Sequence, residues 1–409
     1  MLETALATSH LSPVDRGLCH ELVCGVVRWQ ATLDCLIARK TTPGREQRPA
    51  LQNLLRLGLY QIFWLDRIPP HAAVHETVEL AKRAGYHTQA GFINAVLRGY
   101  LRETDEIRKI LADMKISQPA LGWSHPEWLV EKWRRNFGDE KTRRLLEWNN
   151  TPPKTYARLN TLKADAAQLT ERWRAENVGH DPVTRDWTGE NLAYELKAHP
   201  PLHSLPSFRD GWFYLQDPST LLAPVMLGAS PGETILDLCA APGGKTTFIA
   251  QQMNNAGRIS ATDLDPTRLK LVKENCQRLG VTCVEPALPS TISHQPSTVY
   301  DRILIDAPCS NTGVLRRRVD LRWRIQSSEI ERLRATQLDL LNQSASRLKP
   351  GGVLVYSTCS LEPEENTDVI QRFLAANPQF KLETERQLLP FDADVDGAYV
   401  ARLTKLPAC

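Results

Sequence analysis

Two cysteines stand where a nucleophile could work. The run DRILIDAP is followed by Cys309-Ser310, and the run GGVLVYST by Cys359-Ser360-Leu361-Glu362-Pro363. Each thiol therefore follows a short apolar stretch that ends in a polar loop. A cysteine inside a strand is an ordinary small hydrophobe; two in polar loops, with Asp306 beside the first, invite a chemical reading. One reaction needs all three groups. Carbon-5 of cytosine is a poor nucleophile within its aromatic ring, but a thiolate adding at carbon-6 creates an enamine that can attack a methyl sulfonium. An acid near N3 stabilises the charge developing in the ring, and a second group helps remove the carbon-5 proton so that elimination frees the enzyme. Those roles map onto Cys359, Asp306 and Cys309 in that order.

A methyl donor needs its own cradle. The run Asp237-Leu238-Cys239 is followed by Ala240-Ala241-Pro242-Gly243-Gly244-Lys245 and then by a helical stretch. Small residues let a backbone approach a ligand closely, and the glycine pair allows a sharp turn at a helix N-terminus. A phosphate-cradling loop needs G-x-x-x-x-G-K-[ST]; Gly244-Lys245-Thr246 fits its end, but Cys239 occupies the first glycine position. The dinucleotide pattern G-x-G-x-x-G is absent. Asp263 ends the run RISATD, about 20 residues after the glycines, the spacing at which an acid binds the ribose of an adenosine-type cofactor. It could instead cap the helix beginning near Pro266.

These loops must be carried by strands. From about Asp217 the runs ETILDLCA, RISATDLD, DRILIDAP and GGVLVYST alternate with the helical stretches TTFIAQQM, PTRLKLVKENCQRLG and SSEIERLRATQLDLLNQSASRLK. Near-continuous apolar strands alternating with helices predict an α/β domain with a mostly parallel sheet covered on both faces. Ligands bind at the carboxyl ends of such strands, where the glycine loop, Asp263 and both cysteines fall. The first ~145 residues read as all-helical. Leu51, Leu54, Leu55, Leu59 and Ile62 form one apolar stripe; Pro69 and Pro70 end that segment. Val74, Val78 and Ala81 continue in a second helix stopped by Gly85, and Phe92, Val96 and Tyr100 mark a third. Residues 146–211 read as a small linker element with α/β character, and 212–409 as the catalytic domain.

With 42% hydrophobic and 24% charged residues, the 409-residue chain can bury more than one core. There is no apolar run of the ~18 residues a membrane span requires, and the N-terminus lacks the pattern of a signal peptide, so the cytoplasm is the expected location and no membrane is expected as partner. The nine cysteines form no C-x-x-C pair and are odd in number, which argues against structural zinc and against a disulfide framework. No metal is expected. Residues 1–145 hold 21 Lys and Arg against 16 Asp and Glu, a modestly basic front end that suits a polyanion, although such charge also serves solubility. After Cys309 come Arg316, Arg317, Arg318, Arg322 and Arg324. They are expected near the catalytic rim, where the first three would hold the phosphates flanking an extruded base; the alternative is a solvated charge run. Trp323 could stack or simply pack.

The blocks DLCAAPGGKT, the strand-end Asp263, DAPCS and STCS-LEPEEN, in that order, resemble the Nol1/Nop2/Sun family of RNA cytosine-5 methyltransferases. The resemblance implies a Rossmann-like, S-adenosylmethionine-dependent domain with Cys359 as nucleophile and Cys309 assisting release. It also implies a cofactor site lined by Cys239, Ala240, Ala241, Pro242, Gly243, Gly244, Lys245, Asp263 and Asp306. DRGLCHELVCGVVRW, LRLGLYQIFWLDRIPPHAAVHETVELAK and GFINAVLR resemble the NusB-like RNA-binding domain, which points to the RsmB (Sun) branch, to 16S ribosomal RNA as partner and to a monomer. Three departures stand out. Pro286-Ala287-Leu288-Pro289 replaces the family's Gly-Asp after the third strand, with Glu285 the nearest acid. The near-terminal motif reads Asp396-Gly397-Ala398-Tyr399, and the chain leaves no evident room for a helix before Asp15-Arg16-Gly17. Two other functions remain open: the same chemistry on another RNA such as transfer RNA, or a non-catalytic NusB-like RNA-binding protein, which cofactor affinity would distinguish.

Overall fold

The computed structural model describes residues 2–7, 9–41, 48–290 and 299–407. The chain forms two compact units: the residues up to Thr151 together with Leu315–Arg324, and Pro152–Val314 with the residues from Ile325 onward.

The first unit is helical. Proline at the first helical position, where no intrahelical N–H bond is lost, starts Pro13–Arg28, Pro49–Trp64 and Pro70–Arg83. A short helix, Leu2–Ala7, precedes them, so the element the sequence reading finds missing is present. The stripe Leu51, Leu54, Leu55, Leu59 and Ile62 is buried as its spacing predicts, and Gly85 follows its helix with φ +85°. Phe92 departs from expectation: it is 37% exposed, while Ile93, Val96, Leu97 and Tyr100 face the core. Val96 and Tyr100 are buried as expected, and Ile93 takes the inward place given to Phe92.

Leu315–Arg324 joins this unit for a physical reason. Arg322, fully buried, donates to the carbonyls of Arg28, Ser124 and Asn149 and to Asn150 Oδ1, all within 3.2 Å, and Trp323 Nε1 donates to Val27 O at 2.8 Å. Five donated bonds fix the segment. The sequence boundary at 145 and the assignment of 315–324 to the catalytic domain are corrected accordingly.

The second unit carries two sheets. β1 (Thr155–Leu159), β2 (His180–Arg185), β3 (Gly189–Leu196) and β4 (Phe213–Leu215) form an antiparallel sheet in the order β2-β3-β1-β4. The larger sheet contains β5 (Thr234–Leu238), β6 (Arg258–Thr262), β7 (Val284–Ala287), β8 (Tyr300–Asp306), β9 (Leu348–Thr358), β10 (Phe380–Leu388) and β11 (Ala398–Lys405). Its order is β10-β11-β9-β8-β5-β6-β7; the five strands from β5 to β9 are parallel, and β10 and β11 are antiparallel. Side chains alternate between two buried cores. Ile235, Leu304, Val353 and Val355 pack with the helices Gly244–Gln252 and Pro266–Leu279, while Leu236, Ile303, Ile305, Leu354 and Tyr356 pack with Ser327–Ala345 and Thr367–Ala376. Strand order reverses between β5 and β8, which opens a crevice at their carboxyl ends. Among the described residues no helix is long and apolar enough to cross a membrane.

Candidate active site

The crevice is built from the loops that follow β5, β6, β8 and β9. After β5, Cys239 turns with φ +61° and Gly243 with φ +100° caps the helix Gly244–Gln252. A left-handed residue there favours glycine, and a Cβ on Gly243 would meet the Val272 backbone at 3.3 Å. Burial, reinforced by the carboxylates of Asp306, Asp263 and Asp237, pushes the Cys239 thiol up to about 12. It therefore stays a neutral thiol in the wall of the loop.

Lys245 Nζ meets Asp306 Oδ2 at 2.6 Å, and Ser357 Oγ donates to Asp306 Oδ1 at 3.0 Å. Burial alone would lower the lysine, but the Asp306 charge and hydrogen bond outweigh it and hold the ammonium above its usual value. Lys245 thus engages the proposed acid at the crevice.

Asp263 is buried and accepts from the Asp265 backbone N–H at 3.1 Å, with Arg268 3.0 Å from its other oxygen. The helix Pro266–Leu279 is capped by Asp265, whose side chain accepts from Thr267 N–H, so Asp263 does not fill the cap role. Asp237 at the end of β5 accepts from Thr246 Oγ1 at 2.6 Å, and its buried Oδ1 has no hydrogen-bond partner among the described residues. An orphaned acceptor, a second strand-end acid and a glycine turn at a helix N-terminus fit a cofactor with an ammonium group and ribose hydroxyls.

Parallel register brings the cysteines together. Asp306 on β8 pairs with Ser357 on β9, so the loops that follow begin level. Cys309 Sγ lies 3.4 Å from Cys359 Sγ, and Cys359 Sγ donates to Asn311 Oδ1 at 3.1 Å. Both are half-buried, so a substrate atom could reach them. The bond to Cys359, then burial, push the Cys309 thiol well up. Gly313 underlies this loop: its N–H donates to Cys359 O, and Gly397 N–H donates to Gly313 O, both at 2.9 Å. A Cβ on Gly313 would meet both carbonyl oxygens named Gly397 O and Cys359 O within 2.8 Å. The near-terminal Asp396-Gly397 is thereby packed under the cysteine loop whatever follows it.

Family descriptions match three stretches: "16S rRNA methyltransferase RsmB/F" over residues 224–404, "NusB family" over 1–102, and an RsmF/B-like ferredoxin-like domain over 125–188. The probable ribosomal RNA small subunit methyltransferase B of Bacillus subtilis is 34% identical over 99% of this chain and 94% of its own length. Its namesake in Synechocystis is 38% identical over the same shares. The chain belongs to the RsmB family of ribosomal RNA methyltransferases. A crystal structure of a methyltransferase homologue from Pyrococcus horikoshii is 31% identical, with a TM-score of 0.62 over 70% of this chain and 97% of that one.

The RsmB/F match contains the glycine loop, Asp263, Asp306 and both cysteines. Glu285, the acid nearest the position of the family's third-strand Asp, lies within β7 and pairs with Arg258 at 2.5 Å, two residues short of the strand's carboxyl end. It is no substitute at the rim. Arg316 is also corrected. Its guanidinium is 2% exposed and lies over the Trp148 ring at 4.0 Å within the first unit, so it offers no phosphate contact. Arg317 and Arg318 are exposed and keep that possibility; Arg322 and Trp323 are structural.

Two residues escape sequence reasoning. Arg158 on β1, fully buried, donates to Gln216 Oε1 and Gly244 O and to Thr247 Oγ1, bracing the cofactor loop from the smaller sheet. Burial drives it down to about 9. Glu365 is the other. The strand RLNTLK and the block LEPEEN contain them, but nothing local distinguishes a buried arginine or glutamate from a surface one.

Proposed function

We propose that this chain transfers a methyl group from S-adenosylmethionine to carbon-5 of a cytosine in 16S ribosomal RNA through an adduct on Cys359. The observation that carries this reading is the pair of sulfurs 3.4 Å apart at adjacent strand ends, beside an acid and a glycine loop. S-adenosylmethionine supplies an electrophilic methyl on a sulfonium. Gly243-Gly244 and the preceding Ala240-Ala241-Pro242 would admit it, Asp263 would receive its ribose hydroxyls, and Asp237 would hold its ammonium. Cys359, after giving its proton to solvent water, adds as thiolate through Sγ to carbon-6 of the base. Asp306, drawing on its Lys245 partner, delivers a proton toward N3 and so stabilises the ring charge. Carbon-5 takes the methyl as the donor sulfonium becomes a thioether. Cys309, after giving its own proton to solvent, takes the carbon-5 proton, N3 returns its proton to the Lys245–Asp306 pair, and the Sγ–carbon-6 bond breaks to restore the Cys359 thiolate. Arg317 and Arg318 are proposed to grip RNA phosphates, and the NusB-like unit to which they belong to hold the ribosomal RNA. Both relatives' names and the NusB match support ribosomal over transfer RNA.

The test uses 16S RNA carrying tritium at cytosine carbon-5. Release of one tritium per methyl transferred supports the reading; methyl transfer without tritium release contradicts it.

A further inference from the structure

Beneath the two cysteines lies a carboxylate that the reaction itself does not use. Glu365 is fully buried, and four donors converge on it. Ser310 N–H and Gln337 Nε2 donate to Oε1 at 2.8 and 3.1 Å; Ser310 Oγ and Ser360 Oγ donate to Oε2. Ser310 follows Cys309 and Ser360 follows Cys359, so one carboxyl group binds the residue next to each thiol. The surrounding bonds leave this arrangement little freedom. Ser360 Oγ accepts from Glu362 N–H at 3.0 Å, Thr312 Oγ1 accepts from Leu361 N–H at 2.9 Å, and Tyr356 Oη donates to the Glu365 carbonyl at 2.6 Å. With its hydroxyl neighbours committed as donors, Glu365 acts as an acceptor on both oxygens, which is the pattern of an ionised carboxylate.

We propose that Glu365 is a positioning residue for the transfer reaction, a buried carboxylate that clamps the two cysteine loops together and sets the approach of their sulfurs. This inference rests on the cysteine chemistry proposed above and deepens it. The clamp also makes the two thiols unequal. Glu365's negative charge is among the groups that push Cys309 up, after the bond to Cys359 and burial. A carboxylate beneath the Cys309 loop disfavours a second negative charge on that sulfur. Burial of an acid is costly unless its charge is hydrogen-bonded. Four donors meet that cost here.

The test replaces Glu365→Gln in the full chain, which keeps size and planarity but removes the charge and turns one acceptor into a donor. Turnover on 16S RNA should fall roughly tenfold to a hundredfold, the scale of a small misplacement of reacting groups. KM for RNA and affinity for S-adenosylmethionine should stay within about twofold of the parent. A second readout needs neither RNA nor turnover. With Cys359→Ala as background, iodoacetamide alkylation of Cys309 followed by mass spectrometry should be faster at mildly alkaline pH when Glu365→Gln is added, because the thiolate no longer forms beside a buried negative charge. The double variant Ser310→Ala/Ser360→Ala, which keeps the carboxylate but cuts both hydroxyl links, should lose turnover while leaving Cys309 alkylation slow. Unchanged turnover in either variant, or unchanged alkylation in the first, overturns the clamp. Failure of tritium release by the parent chain would instead strike the proposed chemistry, and the alkylation arm would still decide the role of Glu365.

Discussion

At the scale of single residues, Asp237 shows how a binding acid is kept in reserve. Burial pushes it from an ordinary 3.8 up to about 7, with Thr246's hydrogen bond opposing and the Asp306 charge assisting. Between those values the unfolded chain has released its proton and the folded chain has not. Folding therefore takes up a proton, and stability falls as pH rises from about 3.8 to about 7. In Asp237→Asn this titration is gone, so the urea midpoint of the cofactor-free variant should lose that downward slope. Parallel profiles for variant and parent would show that Asp237 ionises without hindrance. Asp263 is tested through affinity. Asp263→Ala removes a charge-assisted contact worth ~1.5–3 kcal/mol, so the S-adenosylmethionine Kd should rise roughly tenfold or more by calorimetry. A normal Kd in the folded variant would deny it the ribose. Both acids are visible in the sequence because each ends an apolar run. The bonds that separate their roles, Thr246 to Asp237 and the Asp265 cap that releases Asp263, are not.

At the scale of elements, legibility follows periodicity. The strands carrying the glycine loop and the cysteines are short, nearly continuous apolar runs, and their parallel register sets the sulfur spacing; β7 is placed only through the family pattern, and β10 and β11, which mix charges with apolar residues, escape notice. The helix Ala90–Arg102 shows the limit of a stripe read from three positions. Phe92 and Ile93 both suit helical spacing, and only packing decides between them. Ile93→Ala should cost ~2–5 kcal/mol of stability by chemical denaturation, whereas Phe92→Ala should stay within about 0.5 kcal/mol. Equal losses would mean that both side chains are buried. Arg158 and Glu365 lie beyond any pattern, since each contacts segments distant in sequence.

At the scale of the whole molecule, the chain order of a helical part, a small α/β element and a Rossmann-like part is readable, but the ferredoxin-like character of the middle element and the membership of Leu315–Arg324 in the helical unit are not. A stretch rich in arginine looks solvated until backbone carbonyls from Val27, Arg28, Ser124 and Asn149 are seen to receive its donors. The full chain is also the proper subject for the central claim, that Cys359 attacks and Cys309 releases. Purified Cys359→Ala and Cys309→Ala proteins are each mixed with 16S RNA and S-adenosylmethionine and run on a denaturing gel. Cys309→Ala should yield a slow, nuclease-sensitive protein band, because attack and methyl transfer proceed while elimination stalls. Cys359→Ala and the double variant should yield none. A band from Cys359→Ala, absent from Cys309→Ala, would contradict the account and make Cys309 the nucleophile.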